Sequence, residues 1–249
     1  KYFYFKDKKF YSDAKKIISF IKRTDGLDKQ FTSFDQLLKK YNDFFKKVNI
    51  IHFLEQFDDL IIDAQKKVVF YYKSHHFIKH NISKIKNIIS DKFSIDDLYS
   101  QINRHYRRQI PSKKILIDYL KKGNYNFDEY YLYFDNIEIE KLSNLEQNLV
   151  NYIINHNNRF FVEDISEFAI ECGLELNSSI LVYLKNNPLF KNIAKNIFTL
   201  ANVNLSPFQI IEFQKQRDEL NKKYKSIYET AWADKKFKVI LNPAPYTIS

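Results

Sequence analysis

Residues 160–200, FFVEDISEFAIECGLELNSSILVYLKNNPLFKNIAKNIFTL, constrain the fold more tightly than any other part of this 249-residue chain. Residues 160–162 read as a short strand. The helix that follows carries Ile165, Phe168, Ala169 and Cys172 at i, i+3, i+4 and i+7, the spacing of one buried face. Gly173 is one of only three glycines. It stops that helix where a left-handed cap is needed, a conformation that costs glycine nothing. Asn177, Ser178 and Ser179 offer side-chain oxygens to cap a second helix, whose inward face is Ile180, Leu181, Tyr183 and Leu184. Pro188 ends it. Residues 190–193 and 197–200 then alternate around Lys195-Asn196, the pattern of a two-stranded hairpin.

On these residues the segment resembles the winged helix-turn-helix modules of transcription regulators and the helical region of sigma factors that reads promoters. The resemblance rests on the start Val162-Glu163-Asp164-Ile165, the glycine turn, the second helix and the aromatic hairpin. It implies that the second helix enters a DNA major groove. Asn177, Ser178, Ser179, Lys185 and Lys195 would then face the nucleic acid.

The pattern occurs a second time. Phe93-Ser94-Ile95-Asp96-Asp97-Leu98 matches Phe160-Phe161-Val162-Glu163-Asp164-Ile165 at an offset of 67 residues, and Ile117-Asp118-Tyr119-Leu120-Lys121 matches Leu181-Val182-Tyr183-Leu184-Lys185 at an offset of 64. The earlier copy thus has three more residues in its turn, around 107–112. An apolar-periodic helix precedes each copy, with Ile82, Ile85, Ile88 and Ile89 in one and Leu145, Leu149, Tyr152 and Ile153 in the other. Each ends in an alternating aromatic stretch, 130–134 in the first and 197–200 in the second. The plainer alternative is that any helix-turn-helix-hairpin looks like its neighbour in a chain this rich in Phe, Ile and Tyr.

Charge points in the same direction as the resemblance. Forty Lys and Arg against thirty Asp and Glu give +10, and Lys, Ile, Asn, Tyr and Phe are used heavily, as AT-rich codons would produce. Location matters more than the total. The densest cluster is Arg104, Arg107, Arg108, Lys113, Lys114, Lys121 and Lys122, with His105 among them, across the turn and reading helix of the first module. Arginine forks there suit phosphate or guanine. A solvated basic face is the competing reading. The second module is only weakly basic, and Glu175 would repel phosphate.

The flanks read as supporting helices. Residues 14–21, 34–48 and 52–64 are amphipathic, and 208–232 form one long helix capped by Ser206 with Pro207 at its first position. A strand over 237–241 and an extended tail, Asn242-Pro243-Ala244-Pro245, close the chain. The long helix and tail are candidates for docking a partner.

Enzyme chemistry finds little support. Gly26, Gly123 and Gly173 are isolated, which excludes a phosphate-cradling glycine loop, and one cysteine excludes a zinc knuckle. His76 and His80, beside His75, have the i, i+4 spacing of a metal pair but lack the intervening glutamate and a third ligand, so they read as surface histidines. Asp58, Asp59 and Asp63, and likewise Asp135, Glu138 and Glu140, read as solvated charge. Tyr130, Tyr131 and Tyr133 offer a stacking platform for single strands, although core packing accounts for most rings. Cys172 reads as a small core residue, and a single cysteine fits a reducing, cytoplasmic compartment. No apolar run is long enough for a membrane span, and the first residues do not read as a signal peptide. Methionine is absent even at position 1, and the expectation is a chain that begins inside a longer protein or has residues missing.

The expected fold is mainly α with small β-hairpin wings, as tandem winged-helix-like modules with flanking helices. The expected units are a helical segment over 1–64, modules over 65–140 and 141–205, and a long helix with its tail over 206–249. The expected function is non-catalytic, without cofactor or metal. It is that of a DNA-binding regulatory or specificity subunit in transcription, with double-stranded DNA and RNA polymerase or another complex as partners and no membrane. A plasmid or phage replication initiator and a winged-helix protein-interaction scaffold are the alternatives.

Overall fold

The computed structural model describes residues 8–24, 31–72, 76–89, 91–104, 109–135, 137–173 and 179–233. About 56% of the described residues are helical and 14% lie in strands, which form small antiparallel sheets. The architecture is therefore mixed α and β with helix predominating.

The described parts of the segment that best defined the sequence form the expected strand, helices and hairpin, while the turn over 174–178 lies outside the described residues. Helix α8 (Asn144–Asn155) leads into strand β6 (Phe160–Phe161), a single 3-10 turn at Val162–Asp164, helix α9 (Ile165–Glu171) and helix α10 (Ser179–Asn186). The hairpin is β7 (Phe190–Ala194) with β8 (Ile197–Leu200), and β6 adds on the far side of β8, giving the order β6-β8-β7. Gly173 sits at φ +62° and Asn196, in the hairpin turn, at φ +61°. Ser143 caps α8 reciprocally with Glu146 three residues on, the box its S-x-x-E spelling announces. Leu149, Ile153, Phe160, Phe168, Leu184 and Phe198 fill the core.

The same order of elements runs earlier. Helix α5 (His76–Ile85), β4 (Lys92–Ser94), α6 (Ile95–Ile102), α7 (Lys113–Lys122) and β5 (Tyr131–Tyr133) repeat it, with β4 paired to β5 and an antiparallel bridge from Phe127 to Leu132 standing where a second hairpin strand would lie. Phe93 pairs with Leu132 as Phe160 pairs with Phe198. Leu120 and Leu184, the residues matched by sequence, are both fully buried, and each shares a core with the strand that follows it.

The N-terminal region is where expectation and structure part. Helix α1 (Lys8–Thr24) contains the expected 14–21 helix, but 34–48 is two helices, α2 (Phe34–Lys40) and α3 (Asn42–Phe45), separated at Tyr41. Of the helix expected over 52–64, only its start lies in α4 (Ile50–Leu54). The rest runs into strand β2 (Leu60–Asp63), which pairs with β3 (Val68–Tyr71). With β1 (Thr32–Ser33) these make a third sheet, β1-β3-β2. Helix, short strand, helices, hairpin: the order occurs three times, and the boundary drawn at 64/65 falls inside a hairpin.

The physical reason is burial on both faces. Leu60, Ile62 and Val69 pack into the first core, while Ile61, Val68 and Phe70, on the opposite face by the period of two, pack into the second. A strand buried on both faces shows an unbroken apolar run rather than alternation. LIID therefore resembles a helix segment in sequence.

Helix α11 (Pro207–Ala233) starts as foreseen, with the Ser206 hydroxyl accepting from the Gln209 amide at 3.3 Å. Phe213 is buried against Phe161 and Ile197 of the third unit, whereas Phe208, Ile211 and Ile227 are exposed. The strand and tail expected over 237–245 lie outside the described residues.

Candidate nucleic-acid interface

The cluster around α7 depends on what its cations touch. Ser112 caps α7 through its hydroxyl, which also donates to Asp63 at the end of β2. Asp63 additionally accepts from the Gln65 and Lys66 amides at 3.0 and 3.1 Å and is 2% exposed. Although burial alone would raise its pKa, bonds from Ser112, Lys66 and Gln65 hold it below the usual carboxylate value. Asp63 is thus no solvated charge; it joins the first hairpin to the cap of α7.

The cations follow the same pattern. Lys114 donates to the Ile62 carbonyl at 3.1 Å and pairs with Asp118, one turn along its own helix. Lys122 donates to the Asp58 carbonyl, and Lys113 pairs with Asp96 at 2.5 Å. Arg104 is half-buried and spans the next seam, donating to Gln101 at 3.1 Å and to the Leu184 carbonyl of α10 at 3.2 Å. Burial pulls its pKa down to about 10, so it remains charged at neutral pH. The Lys121 ammonium is exposed, with no ion pair or hydrogen bond among the described residues. Arg107 and Arg108, with His105, lie outside the described residues.

In the third unit Lys185 and Lys195 are exposed, and the Lys195 carbonyl receives Arg217 of α11. Ser179 opens α10, while Asn177 and Ser178 lie outside the described residues. Outward positions nearby are apolar: Val182 is 57% exposed on α10 and Ile170 is 80% exposed on α9. Neither shows in a helical pattern read only for its buried face.

The seam between the second and third units holds a buried charge that sequence reasoning missed. Lys84 of α5 meets Glu146 of α8 at 2.5 Å, and Glu146 also accepts from Asn187 at 2.8 Å and the Ser143 amide at 2.7 Å. Glu146 is 1% exposed. Against the cost of burial, Lys84, Ser143 and Asn187 hold its pKa down at about 2. The capping signature was its only visible signal. His80 pairs with Glu140 of the connection that leads into α8, and Cys172 is half-buried beside the third core, its thiol pKa raised by burial and by Glu171.

Of the tyrosines proposed for stacking, Tyr130 is 65% exposed, Tyr131 lies under the Lys92 ammonium, and the Tyr133 hydroxyl donates to Asp128 at 2.6 Å. No helix among the described residues is long and apolar enough to cross a membrane. Compared with protein-family models, curated proteins and solved structures, the chain matches none.

Proposed function

We propose that this chain is a non-catalytic protein-interaction scaffold, built from three winged-helix-like units and working inside a larger assembly. The units are those within 8–71, 76–133 and 144–200, with α11 as an appendage to the third. One observation carries the reading. Four of the five described cations of the densest basic cluster, Arg104, Lys113, Lys114 and Lys122, are engaged within the chain, three of them on backbone carbonyls of a neighbouring unit. A helix that serves as a seam offers few free ammonium groups to a phosphate backbone. Exposed Ile170 and Val182 suit a protein partner better than a nucleic acid.

The second reading is the DNA-binding specificity subunit, in its promoter or replication-origin version. It is favoured by the +10 charge and by exposed Lys121, Lys185 and Lys195. Both versions require tight duplex binding, so one measurement separates them from the scaffold. Fluorescence anisotropy with a labelled duplex, from about 50 to 200 mM salt, is expected to show only weak non-specific affinity, on the order of 10⁻⁵ M. Nanomolar binding that Lys121→Glu with Lys185→Glu abolishes would replace the scaffold with the DNA reader.

A further inference from the structure

His156 caps the C-terminus of α8, while Glu167 and Glu171 stand one turn apart on α9, and one ligand atom from each lies within 4.8 Å of the other two. The imidazole is held in place. Its ring stacks on Tyr152 with centroids 3.8 Å apart and planes 14° apart, and Nδ1 lies 2.8 Å from the Tyr152 carbonyl. A histidine that donates Nδ1–H to a carbonyl presents the lone pair of Nε2, the usual arrangement behind a metal-ligating imidazole.

A second, independent observation comes from Tyr152. The residue is 4% exposed, and its hydroxyl has no hydrogen-bond partner among the described residues. A buried polar group in that condition is destabilising until something satisfies it. The Tyr152 ring lies against His156 of the cluster and meets Phe168, the residue after Glu167, edge-on with centroids 5.3 Å apart. Neither glutamate has an ion pair among the described residues, and like charges at i, i+4 repel. Arg159 is committed to Asp164 at 3.6 Å and to the Phe161 ring. Helices α8 and α9 both end here, adding the negative ends of two helix dipoles.

We propose that His156, Glu167 and Glu171 bind a divalent transition-metal ion, with Zn²⁺ the best match to one imidazole and two carboxylates. A water on the ion gives the Tyr152 hydroxyl its missing partner. Both glutamates are exposed, so their side chains can turn to bring oxygens to about 2.0–2.2 Å from the metal. The ion would tie the end of α8 to α9, relieving the carboxylate repulsion.

The test is titration of ZnCl₂ into the full chain after EDTA stripping, followed by calorimetry, with Co²⁺ absorption as a second readout. We expect one ion per chain. Glu167→Gln and Glu171→Gln should each weaken binding about tenfold or more with an unchanged circular dichroism spectrum, and Tyr152→Phe should weaken it less. Saturable binding that survives the Glu167→Gln/Glu171→Gln double variant would place the ion elsewhere and overturn the proposal. Absence of saturable binding in the unaltered chain would overturn it equally.

Discussion

Replacing Glu146 by Gln tests the seam between the second and third units at its most charged point. Glutamine keeps the side-chain length but only one acceptor oxygen, which can serve the Asn187 amide or the Ser143 backbone N–H of the capping box. What it removes is the negative charge facing Lys84, whose side chain is only 14% exposed. The folded carboxyl titrates at about 2 against an ordinary 4.5. At roughly 1.4 kcal/mol per pKa unit that gap corresponds to about 3 kcal/mol of stability. The sign follows from a depressed folded pKa: the contribution is complete above the unfolded value of 4.5 and disappears as pH falls toward 2. Urea unfolding of both proteins should therefore differ by about 3 kcal/mol at pH 7, and the difference should shrink steadily from pH 5 to pH 2. A Lys84→Met/Glu146→Gln double variant should recover part of the loss, because an unpaired buried ammonium is costlier than none. A gap between wild type and Glu146→Gln that stays constant over that pH range would refute the account.

Three further outcomes can be checked by the same unfolding measurements. Leu120→Ala and Leu184→Ala each remove a fully buried side chain from matching places in two cores and should cost about 2–5 kcal/mol; near-neutral results would show that one of those helices is not packed as described. Gly173→Ala should cost about 1–2 kcal/mol because its φ is +62°, although space around it is open; an increase in stability would mean that the left-handed turn is not populated. Arg104→Met should cost about 1–3 kcal/mol by uncovering the Leu184 carbonyl, and by more than Lys121→Met, whose ammonium is exposed; equal effects would remove Arg104 from the seam.

Local determinants were legible in the chain alone. The Ser143–Glu146 box, the left-handed Gly173, the Ser206-Pro207 start of α11 and the 190–200 hairpin are each decided within a few residues by caps, backbone preference and periodicity. So was the match of Leu120 to Leu184, since a repeated pattern of apolar spacing buries the same positions twice. Tertiary structure decided the rest. Whether LIID is helix or strand turned on there being a core on each side of β2, a fact about residues far along the chain. The cations of α7 were visible as charges, but their carbonyl partners Ile62 and Asp58 lie 52 and 64 residues away. Glu146 carries a capping signature in the sequence, and only the fold makes it the buried counter-charge of Lys84, 62 residues earlier. Periodicity and capping act within about one or two turns of chain. The choice between a free basic face and a seam is made by groups that meet only after the units pack.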